Sequence, residues 1–169
     1  MDGLEPRFDA AEIAAAVRRI AGEISGDLAG ETPLLVGILK GCFVFLADLA
    51  RELTIPFEVD FVRARSYGRG TASSGAVEIT KDVETDLSGR HVVVVEDIED
   101  TGLTMQVVVE RIKAGRPASI RRCALLVREG TPRPDYLGFE VGRGFVVGYG
   151  IDYAEQYRGL PDIRAIKGT

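Results

Sequence analysis

Histidine is almost absent from this chain: His91 is the only one among 169 residues. The two cysteines, Cys42 and Cys123, lie far apart and form no CxxC pair. A His/Cys metal cluster therefore cannot be assembled. Both cysteines sit beside apolar residues, which reads as two reduced, buried thiols of a cytosolic protein. No apolar stretch approaches the roughly 18 residues that a membrane span needs. The opening MDGLEPRFDA lacks the basic-then-apolar layout of a secretory signal. Positive charge is also short, with 21 Lys and Arg against 26 Asp and Glu, a net charge of −5. That balance argues against a nucleic-acid face. The expectation is a soluble cytoplasmic protein with no membrane and no nucleic-acid partner.

What the chain does have is the composition of an ordinary globular protein, 46% hydrophobic and 28% charged. Its length suits one domain, residues 1–169, with a core large enough to fold independently. Twenty glycines imply tight turns or close backbone approach to a ligand.

Asp9 with Glu12 has the form of a capping box, and Ile13, Val17, Ile20 and Ile24 recur at helical spacing. This predicts a first helix, ended by Gly26 and Gly30. Leu34–Leu39 is a short apolar run suited to a buried strand, and Phe43–Leu53 reads as a buried helix. Phe57, Val59 and Phe61 alternate with acids in strand fashion. Arg65–Gly75 is small, polar and glycine-rich, longer than a usual connection. Ala76–Lys81 is a further candidate strand. His91–Val95, with four valines in succession, predicts a strand covered on both faces. A helix from about Gly102 to Ala114 follows, then strands at Ile120–Val127, Phe139–Val141 and Phe145–Tyr149. Strands alternating with helices imply an α/β fold with a mainly parallel sheet.

The informative segment is VVVVEDIEDTGLT, Val92–Thr104. A buried strand runs straight into Glu96, Asp97, Glu99 and Asp100, where parallel sheets bind ligands. Thr101, Gly102 and Thr104 then offer hydroxyls and unpaired N–H groups at a helix N-terminus, which suit a phosphate. The carboxylates before them repel one another and would repel a phosphate, unless hydroxyl donors or Mg²⁺ lie among them. A sugar phosphate with a bound metal meets both demands.

Four apolar residues, two acids, an apolar residue and then x-Asp-Thr-Gly-x-Thr resembles the PRPP-binding motif of the type I phosphoribosyltransferases. The resemblance runs from about Leu34 to Pro161 and is greatest to the hypoxanthine-guanine enzymes of that family. It implies a mainly parallel central sheet flanked by helices, with a small hood and a mobile lid loop. It also implies transfer of the phosphoribosyl group of PRPP to a 6-oxopurine, with release of diphosphate. Leu39, Lys40 and Gly41 resemble the family's diphosphate loop, in which a strained, often cis, peptide precedes the basic residue. Ser66 and Tyr67 resemble the start of the lid. FVVGYGIDY, Phe145–Tyr153, continuing through Tyr157 and Arg158, resembles the second family signature.

By that resemblance Glu96 and Asp97 hold the ribose hydroxyls and Mg²⁺, and Asp100 is the general base for the purine. Asp100, Thr101, Gly102, Leu103 and Thr104 bind the 5′-phosphate, while Leu39, Lys40, Gly41 and Arg158 bind diphosphate. Phe145 stacks on the purine, the Val146 backbone reads its edge, and Arg128 and Asp152 belong to the same purine site. Asp152 also joins Glu96 and Asp97 as a metal ligand. A homodimer or homotetramer is implied as well.

Two departures matter. The family usually has a lysine where Arg128 stands, and arginine's planar fork is not equivalent to an ammonium. A preference for xanthine therefore stays open beside hypoxanthine and guanine. Glu99 occupies a position commonly apolar in the family and reads as a solvent-facing side chain without an assigned role. A PRPP-sensing, RNA-binding regulator on the same fold is the alternative from another functional class, and the acidic charge balance disfavours it.

Overall fold

The computed structural model describes residues 3–66 and 77–168. The chain runs β1 (Leu4–Phe8), α1 (Ala10–Asp27), β2 (Leu34–Leu39), α2 (Phe43–Glu52), β3 (Glu58–Ser66), β4 (Val77–Lys81), β5 (His91–Glu99), α3 (Leu103–Lys113), β6 (Ser119–Arg128), β7 (Tyr136–Val141), β8 (Val146–Val147) and β9 (Ile163–Ile166). Six strands form one sheet in the order β4-β3-β2-β5-β6-β7, in which only β4 is antiparallel to its neighbour. The other sheet, β1-β9-β8, is antiparallel and small. Together they give the mainly parallel sheet and the small second sheet that the family resemblance implies.

The four valines of β5 explain the layering. Val93 and Val95 face the core built with Ile13, Ile20, Ile24, Phe45 and Leu49 of α1 and α2. Val92 and Val94 face Met105, Val108 and Ile112 of α3 on the opposite side. All four are essentially inaccessible, and burying each contributes on the order of 2 kcal/mol. Gly37 in β2 is where α2 comes closest: a Cβ there would meet Leu46 Cδ2 at 2.7 Å and Cys42 Sγ at 2.9 Å. Both cysteines are free and buried.

Asp9 caps α1 as the sequence suggests. Its carboxylate accepts from the Ala11 and Glu12 N–H groups, and Glu12 accepts from the Asp9 N–H, each at 2.8 Å. The helix, however, continues through Gly26 to Asp27 and is capped at Leu28. Gly26 does not stop it because no left-handed turn occurs there; the left-handed glycine is Gly30, at φ +86°. β5 extends four residues beyond Val95, because β6 stays paired with it as far as Glu99 and Val127. The expected strand Phe145–Tyr149 contracts to β8, since the chain turns at Gly148 (φ +102°). No helix among the described residues is long and apolar enough to cross a membrane.

Candidate active site

The C-terminal ends of β2, β3 and β5 border one polar cavity of about 610 Å³. Its lining includes Leu39, Lys40, Gly41, Arg63, Arg65, Glu96, Asp97, Thr104, Asp152, Glu155 and Arg158. The alternation of β5 carries on past the valines, sending Glu96 toward Thr104 at the start of α3 and Asp97 toward Gly41. The Leu39–Lys40 peptide is cis, and Gly41 lies directly against Asp97. A Cβ on Gly41 would lie 1.9 Å from Asp97 Oδ2, so any other residue there must displace that carboxylate.

The acids of β5 are held in unusual states. Glu96 is 7% exposed, and its Oε2 has no hydrogen-bond partner among the described residues. Burial, followed by the charges of Asp97 and Glu99, holds its carboxyl well above the ordinary carboxylate range. Burial also pushes Asp97 up to about 6, against the pull of backbone N–H groups and Arg158. An uncompensated carboxylate at the mouth of a polar cavity fits a cation or a hydroxyl donor.

Around the rim Lys40 and Arg158 are already engaged. Lys40 Nζ lies 2.8 Å from Glu155 Oε1. Arg158 reaches Asp152 Oδ1 at 2.6 Å and Glu155 Oε2 at 3.3 Å, and donates to the Gly150 carbonyl at 2.8 Å. The Glu155 N–H donates to Asp152 Oδ2 at 2.8 Å. Ala154, Glu155 and Tyr157 all have left-handed backbones, with φ of 52°, 63° and 72°. Such conformations are rare outside glycine and concentrate at functional loops.

A second, small cavity of about 70 Å³ lies over the turn into α3, lined by Glu96, Ile98, Glu99, Asp100, Thr101, Gly102 and Thr104. Gly102, at φ +75°, is the N-cap and makes no side-chain cap hydrogen bond, which leaves the first N–H groups of α3 largely available for an anion. Leu103 opens the helix, its N–H directed to Thr101 Oγ1 at 3.4 Å.

The third cavity, about 310 Å³, is lined by Asp100, Arg128, Arg143, Gly144 and Phe145. Arg128 spans it: Nε donates to Asp100 Oδ1 at 2.7 Å, and NH1 donates to the carbonyls of Gly142 (2.5 Å) and Gly144 (2.8 Å). Phe145 is 55% exposed and meets Tyr153 edge-on, ring centroids 5.6 Å apart. Val146 is buried in β8, paired with Ala165.

Most residues singled out in the sequence thus converge on three adjoining cavities. Asp152 lines the large polar cavity and is not among the residues lining the one beside Phe145. Ser66 ends β3, while Tyr67 and most of the proposed lid lie outside the described residues. Glu99 requires correction. It does not face solvent but is 1% exposed, with Arg122 NH1 3.6 Å from its Oε2. It turns inward because β5 is still paired to β6 at this residue, and burial raises its pKa in spite of Arg122. Sequence reasoning missed Arg63, Arg65, Tyr153 and Glu155. Arg63 and Arg65 continue the alternation of Phe57, Val59 and Phe61, a signal that could have placed them on one face of the same strand. Glu155 had no such signal.

Comparison with known proteins gives a consistent answer. Residues 8–154 match the family described as the phosphoribosyl transferase domain. The hypoxanthine-guanine phosphoribosyltransferase of Bacillus subtilis (strain 168) is 41% identical over 160 residues, covering 92% of this chain and 89% of the relative. The hypoxanthine phosphoribosyltransferase of Escherichia coli (strain K12) is 41% identical over 166 residues, 95% of this chain and 93% of the relative. A crystal structure of a hypoxanthine-guanine phosphoribosyltransferase from Bacillus anthracis superimposes with a TM-score of 0.90 at 36% identity, covering 96% of this chain and 98% of that one.

Proposed function

Since the chain belongs to the phosphoribosyl transferase family, we propose that it salvages purines by joining hypoxanthine or guanine to the ribose 5-phosphate of PRPP. The products are IMP or GMP and diphosphate. The observation that carries this reading is the chaining of the three cavities. The polar one shares Glu96 and Thr104 with the turn into α3, and that turn shares Asp100 with the cavity beside Phe145. A diphosphate, a ribose 5-phosphate and a flat base can therefore lie side by side, with Asp100 at the junction where the new bond forms.

In this reading diphosphate leaves C1 of the ribose as positive charge grows on the sugar. Lys40 and Arg158, with Arg63 and Arg65 beside them, stabilise the negative leaving group. The Gly41 backbone approaches it without a side chain in the way. Thr101, Gly102, Leu103 and Thr104, with Asp100, enclose the 5′-phosphate at the N-terminus of α3. Asp100 accepts the proton from the purine nitrogen, and Arg128, 2.7 Å away, holds that carboxylate in place. With Nε and NH1 committed to Asp100, Gly142 and Gly144, the NH2 group of Arg128 is the donor left for the 6-oxo group. Phe145 supplies the stacking face, and the Val146 backbone supplies edge contacts.

Mg²⁺ fits the acidic residues present. No three His, Cys, Asp or Glu side chains form a metal cage among the described residues. Mg²⁺, however, commonly takes one or two carboxylates and completes its shell with phosphate oxygens and water. Glu96, with its unpartnered buried oxygen, Asp97 and Asp152 would hold it. When bound, the ion would neutralise charge on the diphosphate. The family resemblance further supports one cytoplasmic domain assembled as a homodimer or homotetramer.

The test is an absorbance assay with PRPP, Mg²⁺ and, separately, hypoxanthine, guanine, xanthine, adenine and uracil. Turnover of hypoxanthine or guanine, lost in Asp100→Asn, is the expected result. Xanthine turned over fastest would move the specificity to that base. PRPP binding without turnover of any base would overturn the enzymatic reading in favour of a PRPP-sensing regulator.

A further inference from the structure

Two cations of the polar cavity, Lys40 and Arg158, come from segments more than a hundred residues apart, yet one carboxylate joins them. Glu155 Oε1 takes Lys40 at 2.8 Å and Oε2 takes Arg158 at 3.3 Å. The two cations approach opposite oxygens of the same group, much as two cations would share a phosphate. Glu155 is not placed there by ordinary packing. Its side chain is 65% exposed, its backbone is left-handed, and its N–H is tied to Asp152 Oδ2. The left-handed backbone is shared with Ala154 and Tyr157 and belongs to the loop, whereas the two close cations account for the inward aim of the carboxylate.

We propose that Glu155 is an internal counter-anion that occupies the diphosphate subsite and must swing out before PRPP can bind there. This rests on the phosphoribosyl transfer reading for the identity of the ligand, though not for the presence of the carboxylate. While Glu155 bridges Lys40 and Arg158, those cations cannot turn fully toward a diphosphate, and the carboxylate repels it. The fraction of molecules with the bridge open then scales the measured affinity for diphosphate. The bridge works in the other direction at the end of the reaction. Once the ribosyl group has moved, Glu155 competes with the product diphosphate for the same two cations and assists its departure.

The residue is well suited to this exchange. It is exposed enough to move into solvent, and exposed ion pairs are individually weak, so the bridge can open without unfolding the loop. Asp152 holds Arg158 independently at 2.6 Å, so Arg158 stays aimed at the cavity after Glu155 leaves.

Titration calorimetry of inorganic diphosphate with Mg²⁺ into the full chain and its Glu155→Gln variant tests the proposal, alongside steady-state kinetics with PRPP. Glutamine keeps the size and removes the charge. The variant is expected to bind diphosphate about three- to tenfold more tightly. It should also lower KM for PRPP by a similar factor and leave KM for the purine unchanged. Unchanged or weaker diphosphate binding in Glu155→Gln, with the melting temperature preserved, would overturn it by making Glu155 an organiser of the cations. The calorimetry needs no turnover. A wild-type chain that binds diphosphate but transfers no ribosyl group would refute the enzymatic reading while still deciding this one.

Discussion

A single methyl group added at Gly41 should disable the proposed PRPP side of the site while leaving the fold intact. The Cβ of Gly41→Ala would stand 1.9 Å from Asp97 Oδ2, 2.5 Å from its Cγ and 2.8 Å from Oδ1. Ordinary contact begins near 3.4 Å, so the nearer oxygen must retreat by about 1.5 Å. Asp97 is a short side chain at the edge of an open cavity, and it can rotate away at a cost of about 1 kcal/mol. That displacement is about three times the tolerance of roughly 0.5 Å within which a functional constellation must be held. A misplacement of about 1 Å can cost around 100-fold in rate. Gly41→Ala is therefore expected to lower kcat/KM for PRPP about 100-fold, with a melting temperature within roughly 4 °C of wild type. Steady-state kinetics at saturating purine and a thermal melt check both halves. Activity within threefold of wild type would refute the reasoning, because Asp97 could then not depend on the bare backbone of Gly41.

The remaining predictions concern charge and chain entropy. Asp97 is raised from 3.8 to about 6, so the native state keeps a proton that the unfolded chain has lost. Its contribution to stability accordingly falls as pH rises from about 4 to about 6. In the proposed reading the charged form is the one that holds hydroxyls or a cation, so kcat/KM for PRPP should rise with pH through that same upper value. A limb near 6 that persists in the residual activity of Asp97→Asn would count against this. Glu99→Ile removes a buried carboxylate with neither oxygen hydrogen-bonded and frees Arg122, whose side chain is already 29% exposed. Stabilisation by about 1–3 kcal/mol is expected. Since a raised acid destabilises more when charged, the gain should be larger at pH 8 than at pH 5; a denaturant series at both values decides. Gly22→Ala, on the exposed face of α1 with open space around the added Cβ, should raise stability by about 0.5–1 kcal/mol. A lower denaturation midpoint would contradict it.

The parts of this molecule that the sequence made legible are those whose physics is local. The four valines of β5 announce a strand covered on both sides, and Asp9 with Glu12 announces the start of α1. The acids and Thr101–Thr104 identify the ligand end of the sheet because charge cannot follow a buried strand without a reason. What escaped was decided by distant partners. β1, LEPRF, has no strand periodicity and becomes a strand only because β9 lies beside it. Glu99 looked like a surface acid since nothing nearby in sequence shows Arg122 or the continued pairing of β6. Glu155 and Lys40 are separated by 115 residues, and no spacing rule connects them. Arg128 drew notice as a departure, but its grip on Asp100 and on two glycine carbonyls depends on where β6 ends.

The small sheet has a consequence for how a base would be held in the proposed site. β8 is two residues long and carries Val146, and among the described residues its strand partner is β9, which is anchored in turn by β1. The backbone next to Phe145 is therefore kept in place from two directions, by the relay of strand pairing that ends at Leu4 and Glu5 and by Arg128, which donates to the Gly144 carbonyl. The polar cavity is lined from the large sheet and also from the connection between β8 and β9, which brings Asp152, Glu155 and Arg158. Loosening β1 would consequently reach both sides of the proposed site, because the segment between β8 and β9 carries those three residues. Both halves of the proposed site thus lean on both sheets, and variation in the small one is expected to be felt in each.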